Sequence, residues 1–142
     1  MIWGEPIATL RASEPGIYGR FGYGVASRFR VVEVRPGTVA DAVPRDGQVR
    51  LLEPAEFEKR VREVYDRIGL SRPGMIARPD SWWARYRHRL ATGDNLVAAV
   101  HTGDDGDDGF VVWEPKPGTS WLTHQLQVAD LHAANPSALA TL

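Results

Sequence analysis

The run of segments from residue 49 to the last residue constrains the fold more than anything else in the chain. Phe57, Val61, Val64, Tyr65 and Ile68 recur every three or four residues, the spacing of one helix face. Around them stand apolar runs of strand length, at residues 49–52, 96–101, 110–113 and 121–131. The helix is expected from Pro54, because proline's missing N–H costs nothing at the first helical position. Glu53 or Leu52 before it then sits at the cap, Glu53, Glu56 and Glu58 suit the positive end of the helix dipole, and Gly69 closes the helix. A second helix is expected over residues 80–91, with Trp83, Tyr86, Arg87 and Leu90 toward one side. Asn135 followed by Pro136 is a third helix start. The order is strand, helix, helix, strand, strand, strand, helix start. It predicts an α/β (α+β) fold with a mostly antiparallel sheet flanked by helices. Residues 102–109, TGDDGDDG, read as the solvated tip of a hairpin. A calcium site is not expected there, since the run is shorter than an EF-hand loop, lacks its terminal glutamate and sits between strands.

The first 48 residues read differently. Residues 13–24, SEPGIYGRFGYG, hold four of the chain's fourteen glycines, a density that marks tight turns or close approach of main chain to another group. Ser13 is a candidate helix cap, and Gly22 and Gly24 can end the turn. Tyr18, Arg20, Phe21 and Tyr23 lie between the glycines, so the segment can pack and also present polar groups. Residues 6–12 (Ile7, Ala8, Leu10, Ala12) and 25–34 (Val25, Phe29, Val31, Val32, Val34) are expected as strands on either side. Residues 36–48, PGTVADAVPRDGQ, lack a period and read as a connection. The chain thus divides into residues 1–35, a linker over 36–48, and residues 49–142.

Composition narrows the partners. Lys and Arg number 17 against 18 Asp and Glu, a net charge of −1, which gives no basis for nucleic-acid binding. There is no cysteine, so disulfides and thiolate chemistry are excluded and a reducing, cytoplasmic setting is expected. His88, His101, His124 and His132 have no helical zinc spacing, so no metal is expected. No apolar run reaches the ~20 residues of a membrane span. The five tryptophans, Trp82 and Trp83 among them, are expected chiefly in core contacts.

Residues 12–27, ASEPGIYGRFGYGVAS, resemble the signature of the Eis ("enhanced intracellular survival") family of N-acetyltransferases in the GNAT superfamily. Tyr18 followed by the Gly22–Tyr23 pair is similar to the closing half of a GNAT domain. The segment order from residue 49 is similar to the opening half of another. The resemblance implies two partial lobes of a longer protein made of two fused GNAT-like domains and a sterol-carrier-like third. It implies acetyl-CoA as co-substrate and a small-molecule amine or a peptide lysine as acceptor, with homo-oligomers in the full-length protein. By that resemblance Tyr18 is the general acid, Ser13 and Glu14 are candidates to line the cofactor, and the family's other catalytic group is its C-terminal carboxylate. GNAT domains hold the CoA pyrophosphate on a glycine-rich loop before a helix. The equivalent place in the second lobe is residues 132–139, HAANPSAL, with neither glycine nor arginine. The expectation is an internal fragment that is inactive alone. The alternative is a non-catalytic structural or assembly module, or the remnant of an enzyme.

Overall fold

The computed structural model describes residues 4, 6–27, 31–35, 43–93, 95–120 and 123–142. The chain divides into two units, Met1–Val39 and Ala40–Leu142.

In the first unit a single α-helical turn, α1 (Pro15–Tyr18), runs into a 3₁₀ turn at Gly19–Phe21. Gly22 then takes a left-handed φ of 85° and its N–H bonds the carbonyl of Gly19. A side chain is strained at that φ, and glycine is not. The strands expected over residues 6–12 and 25–34 are not formed among the described residues. Ile7 is 77% exposed and Val31 90% exposed. A strand is stable only when a neighbour takes its main-chain hydrogen bonds and a layer covers its apolar side. Alternating valines mark a face that can be buried, and among the described residues of the unit Val25, Val31, Val32 and Val34 stay exposed. Phe29 lies outside the described residues.

The second unit is built on a four-stranded antiparallel sheet in the order β1 (Gln48–Leu51), β2 (Val97–Gly103), β3 (Gly106–Lys116), β4 (Gln125–Ala133). Between β1 and β2 the chain forms α2 (Phe57–Val64), a π-helical turn at Tyr65–Gly69, and α3 (Asp80–Ala91). After β4 comes α4 (Pro136–Thr141). The period-2 alternation of the strands meets the helical period of α2 and α3 in one core. Ala98 and Val100 of β2 and Phe110 and Val112 of β3 face Phe57, Val61, Val64, Tyr65, Trp83 and Tyr86. Trp83 and Phe110 are fully buried. On the other sheet face Ala99 and Val111 are buried, whereas Leu51, Leu126 and Val128 are exposed.

Three boundaries differ from the sequence expectation. Regular α2 starts at Phe57, after a turn in which Glu56 and Phe57 N–H both reach the Glu53 carbonyl. Glu56 Oε1 in return accepts the Glu53 N–H at 3.1 Å, half of a capping box. The hairpin tip is much tighter than TGDDGDDG implied. The strands pair down to Gly103 opposite Gly106, and only Asp104 and Asp105 form the turn. Asp107 joins the ladder because it has partners: Thr102 Oγ1 donates to it at 2.6 Å and Arg60 pairs with it at 2.9 Å. β4 ends at Ala133, beyond the expected Leu131, and Trp121 and Leu122, expected as its start, lie outside the described residues.

Truncation in this core is expected to be costly. Phe110→Ala should lower the unfolding free energy by about 3–5 kcal/mol, whereas Val31→Ala should change it by no more than about 0.5 kcal/mol. Urea unfolding followed by tryptophan fluorescence compares the two.

Candidate functional site

The residues singled out in the sequence lie on the turn of the first unit. Glu14 is the N-cap residue of α1, with an extended backbone and no side-chain cap bond. Ser13, the expected cap, is exposed and does not take that place. Tyr18 ends the helix half-buried, its ring edge-on to Tyr23 with centroids 6.2 Å apart. The Tyr23 N–H donates to the Tyr18 carbonyl at 3.3 Å. The Arg20 guanidinium lies 4.8 Å over the ring of Phe21. Two glycine-bordered turns thus present a tyrosine hydroxyl on a short, accessible loop, with Ser13 and Glu14 one turn before it.

A second cluster, invisible in the sequence, lies under the helices of the second unit. Arg78, in the loop before α3, is buried and binds Asp130 of β4 in a fork, Nη1 to Oδ2 at 2.5 Å and Nη2 to Oδ1 at 3.1 Å. Tyr86 donates its hydroxyl to Asp130 Oδ2 at 3.2 Å. His132 Nε2 lies 3.1 Å from Asp130 Oδ1 and 3.3 Å from Arg78 Nη2. Two N–H donors converging on one carboxylate oxygen satisfy that triangle. The guanidinium stacks 3.7 Å over the Tyr65 ring, a favourable site for a cation. Tyr65 in turn donates to the Ile76 carbonyl at 2.7 Å, and Arg72 donates to the Ala133 carbonyl. The loop between the π-helical turn and α3 is therefore tied to β4 by two arginines.

These contacts set the charges. Burial would push the Asp130 carboxyl up, but hydrogen bonds from His132 and Arg78 and the arginine's charge outweigh it and hold its pKa at about 2. Burial and the neighbouring Asp130 push the Tyr86 hydroxyl well above its ordinary range. Arg78 stays charged: burial works against it, and Asp130 more than compensates. The charges of Arg78 and Asp130 are spent on each other, with Tyr86 and His132 Nε2 on the same carboxylate, so the arrangement holds structure together.

The third feature is at the hairpin end of the sheet. A cavity of about 430 Å³ is lined by Asp46, Arg67, Asp104, Asp105, Asp108 and Asn135, among others. Beneath it His101 is fully buried. Among the described residues no group of three or more His, Asp or Glu side chains is set to hold a metal ion. α4 starts within residues 132–139, the stretch that the sequence resemblance equates with a GNAT pyrophosphate loop, and two polar side chains there are already engaged. Asn135 Oδ1 accepts the Ala138 N–H at 2.8 Å, and Ser137 Oγ reaches Asp46 Oδ1 at 2.5 Å. These residues do not fit a CoA pyrophosphate.

Comparison with known proteins assigns the class. Residues 74–142, from the loop that carries Arg78 to the end of α4, match the family model described as an acetyltransferase (GNAT) domain. The second unit carries a GNAT acetyltransferase domain. An uncharacterized N-acetyltransferase of Streptomyces avermitilis is 36% identical over 153 residues, 99% of this chain and 36% of the relative. The N-acetyltransferase Eis of Mycobacterium tuberculosis is 32% identical over 143 residues, 96% of this chain and 32% of the relative. An uncharacterized N-acetyltransferase of Streptomyces coelicolor is 45% identical over 83 residues, 56% of this chain and 20% of the relative. The chain spans about a third of the length, or less, of these relatives.

The Asp130 pKa makes a pH prediction. It is about 2 in the folded chain against an ordinary 3.8. A depressed carboxylate contributes stability that is present above pH ~4 and lost as pH falls through ~2, on the order of 2 kcal/mol. Urea unfolding between pH 5 and pH 2 should show that loss. Asp130→Asn should be less stable by about 3 kcal/mol at pH 6 and should lack this part of the acid dependence.

Proposed function

We propose that this chain is part of an Eis-type N-acetyltransferase, with acetyl-CoA as acetyl donor and an amine, on a small molecule or a peptide lysine, as acceptor. The observation that carries the reading is the pairing of the Tyr18 turn with a GNAT domain in one chain, over which relatives named N-acetyltransferase align almost end to end. In acetyl transfer the amine nitrogen bonds the acetyl carbon, the carbon–sulfur bond breaks, and the sulfur needs a proton. Tyr18 is assigned to supply that proton from its hydroxyl. The accessible, glycine-bordered turn suits the role, since main chain and hydroxyl can both approach a bound thioester. Ser13 and Glu14 flank the approach on the cofactor side.

The second unit is assigned no CoA site, because Asn135 and Ser137 already use the groups at the start of α4. It acts as a structural lobe, one that shapes an acceptor cleft or supports assembly of a larger protein, homo-oligomers included. The 142 residues are assigned no turnover by themselves, since no pyrophosphate loop is assigned to the second unit. Among the described residues no helix is long and apolar enough to cross a membrane, and with the cysteine-free composition this favours a cytoplasmic setting. No metal and no nucleic acid enter the scheme.

Titration calorimetry of the 142-residue chain with acetyl-CoA is expected to give no binding heat at micromolar concentrations. Micromolar binding would overturn the assignment of the second unit. In any preparation that turns over, Tyr18→Phe is expected to lower kcat about 10²–10⁴-fold, the usual worth of a general acid, with KM for acetyl-CoA nearly unchanged. An unchanged kcat would remove Tyr18 from the mechanism.

A further inference from the structure

His101 stands on β2 with its side chain fully buried, and both ring nitrogens meet an oxygen. Nδ1 is 2.5 Å from Asp108 Oδ1, and Nε2 is 2.7 Å from the main-chain carbonyl of Asp46. A carbonyl only accepts, so Nε2 carries a proton. An ionised carboxylate only accepts as well, so Nδ1 carries one too. The imidazolium satisfies this arrangement, and the neutral ring leaves a lone pair facing a carboxylate. The contact exists because of a bulge: His101 pairs with Gly109 and Thr102 with Asp107, so Asp108 falls between the two pairs.

From this ring the contacts spread to two further segments. Asp108 Oδ2 accepts from Asn135 Nδ2 at 2.9 Å, and Asn135 Oδ1 caps α4. The Asp46 carbonyl also takes the Thr141 hydroxyl at 3.3 Å, and Ser137 Oγ lies 2.5 Å from the Asp46 carboxylate and 3.0 Å from the Pro44 carbonyl. Gly47 has φ +68°, and a Cβ there would lie 2.6 Å from His101 Cε1 and Nε2. Only glycine lets the main chain close over the imidazole.

We propose that His101 is a protonation latch: its imidazolium holds residues 44–47 and α4 against the β2–β3 hairpin, and its deprotonation releases both while the sheet stays folded.

The surroundings support the latch. Asp108 and Asp107 of β3, Asp46 ahead of β1, and Asp104 and Asp105 at the tip face this end of the sheet, with Arg67 of the π-helical turn as the cation among them. Asp107 is engaged by Arg60 and Thr102. From α4 and its cap the contacts are the uncharged Asn135, Ser137 and Thr141. Burial pushes the His101 pKa down, but the bonds to Asp108 and the Asp46 carbonyl and the charges of both aspartates raise it above the ordinary 6.5. A raised histidine contributes stability that is fully present below pH ~6.5 and lost as pH rises through the folded value. The latch is closed on the acid side and opens on the alkaline side.

Hydrogen exchange of the 142-residue chain at pH 6 and pH 9, corrected for intrinsic rates, tests this. Protection of residues 134–142 is expected to fall at least tenfold at pH 9, while residues 110–113 in the middle of β3 keep theirs. The His101 ring-nitrogen resonances are expected to titrate over the same interval. In His101→Gln the pH dependence should vanish, with low protection of residues 134–142 at both pH values. Asp108→Asn, which keeps the ring and removes its counter-charge, should move the fall to lower pH and serves also if His101→Gln does not fold. Unchanged wild-type protection of residues 134–142, the same fall in His101→Gln, or an unmoved fall in Asp108→Asn overturns the proposal.

Discussion

A guanidinium taken out of water is tolerable only if its counter-charge is already in place, and in this chain that demand falls on Arg78 and Asp130. Removing a charge from water costs several kcal/mol even after relaxation. The fork of two hydrogen bonds answers it, and the Tyr65 ring covers the face of the cation. The constraint is geometric as well as energetic. Asp130 comes from β4, Arg78 from the loop before α3, Tyr65 from the π-helical turn, and Tyr86 from α3 itself. Asp130 meets Arg78 and Tyr86 only when β4, the loop and α3 are all in place, and Tyr65 covers the guanidinium from the π-helical turn. A loop containing Pro73, Gly74 and Pro79, which alone would specify little, is thereby held in one path.

The same constraint explains the asymmetry of the sheet. The face toward α2 and α3 is filled by aromatic and branched side chains and sealed at the β4 edge by the arginine cluster. Among the described residues the opposite face is covered near the hairpin end, where α4 buries Ala138 and leaves Leu139 half-exposed. The two histidines inside the fold divide between these faces. His132 stacks on Phe110 and shares the carboxylate of Asp130, and His101 pairs with Asp108. Each is buried beside an aspartate, but only His101 has both ring nitrogens engaged, whereas His132 uses Nε2 and keeps Nδ1 without a partner.

How far the sequence could be read follows from the range of the interactions. Periodicity is local, so the strand–helix–helix–hairpin–strand order of the second unit was legible from Phe57, Val61 and Val64, from Trp83, Tyr86 and Leu90, and from the apolar runs at residues 96–101 and 110–113. The Asn135–Pro136 start of α4 was legible for the same reason. The glycine-rich turn carrying Tyr18 was legible from its motif. What escaped depends on residues far apart in the chain. Arg78 and Asp130 are 52 positions apart and His101 and Asp46 are 55, and no spacing rule joins them. Asp107 and Asp108 read as solvated because aspartate rarely enters a strand, until Arg60, Thr102 and His101 supply partners. The strands expected at residues 6–12 and 25–34 failed for the converse reason. Alternation shows that a segment can pair and does not provide a partner.

The rigidity of the second unit rests on the arginine pair. The most direct measurement is a double-mutant cycle by urea unfolding at pH 7 on Arg78→Met and Asp130→Leu. Each single change strands a buried partner, so each should cost about 3–5 kcal/mol, and the double variant, with no charge left to satisfy, should cost far less than their sum. A coupling of at least about 2 kcal/mol is the result this account predicts. Single costs that simply add, within about 0.5 kcal/mol, would contradict it and would mean that the loop and α3 are held in place by the apolar core alone.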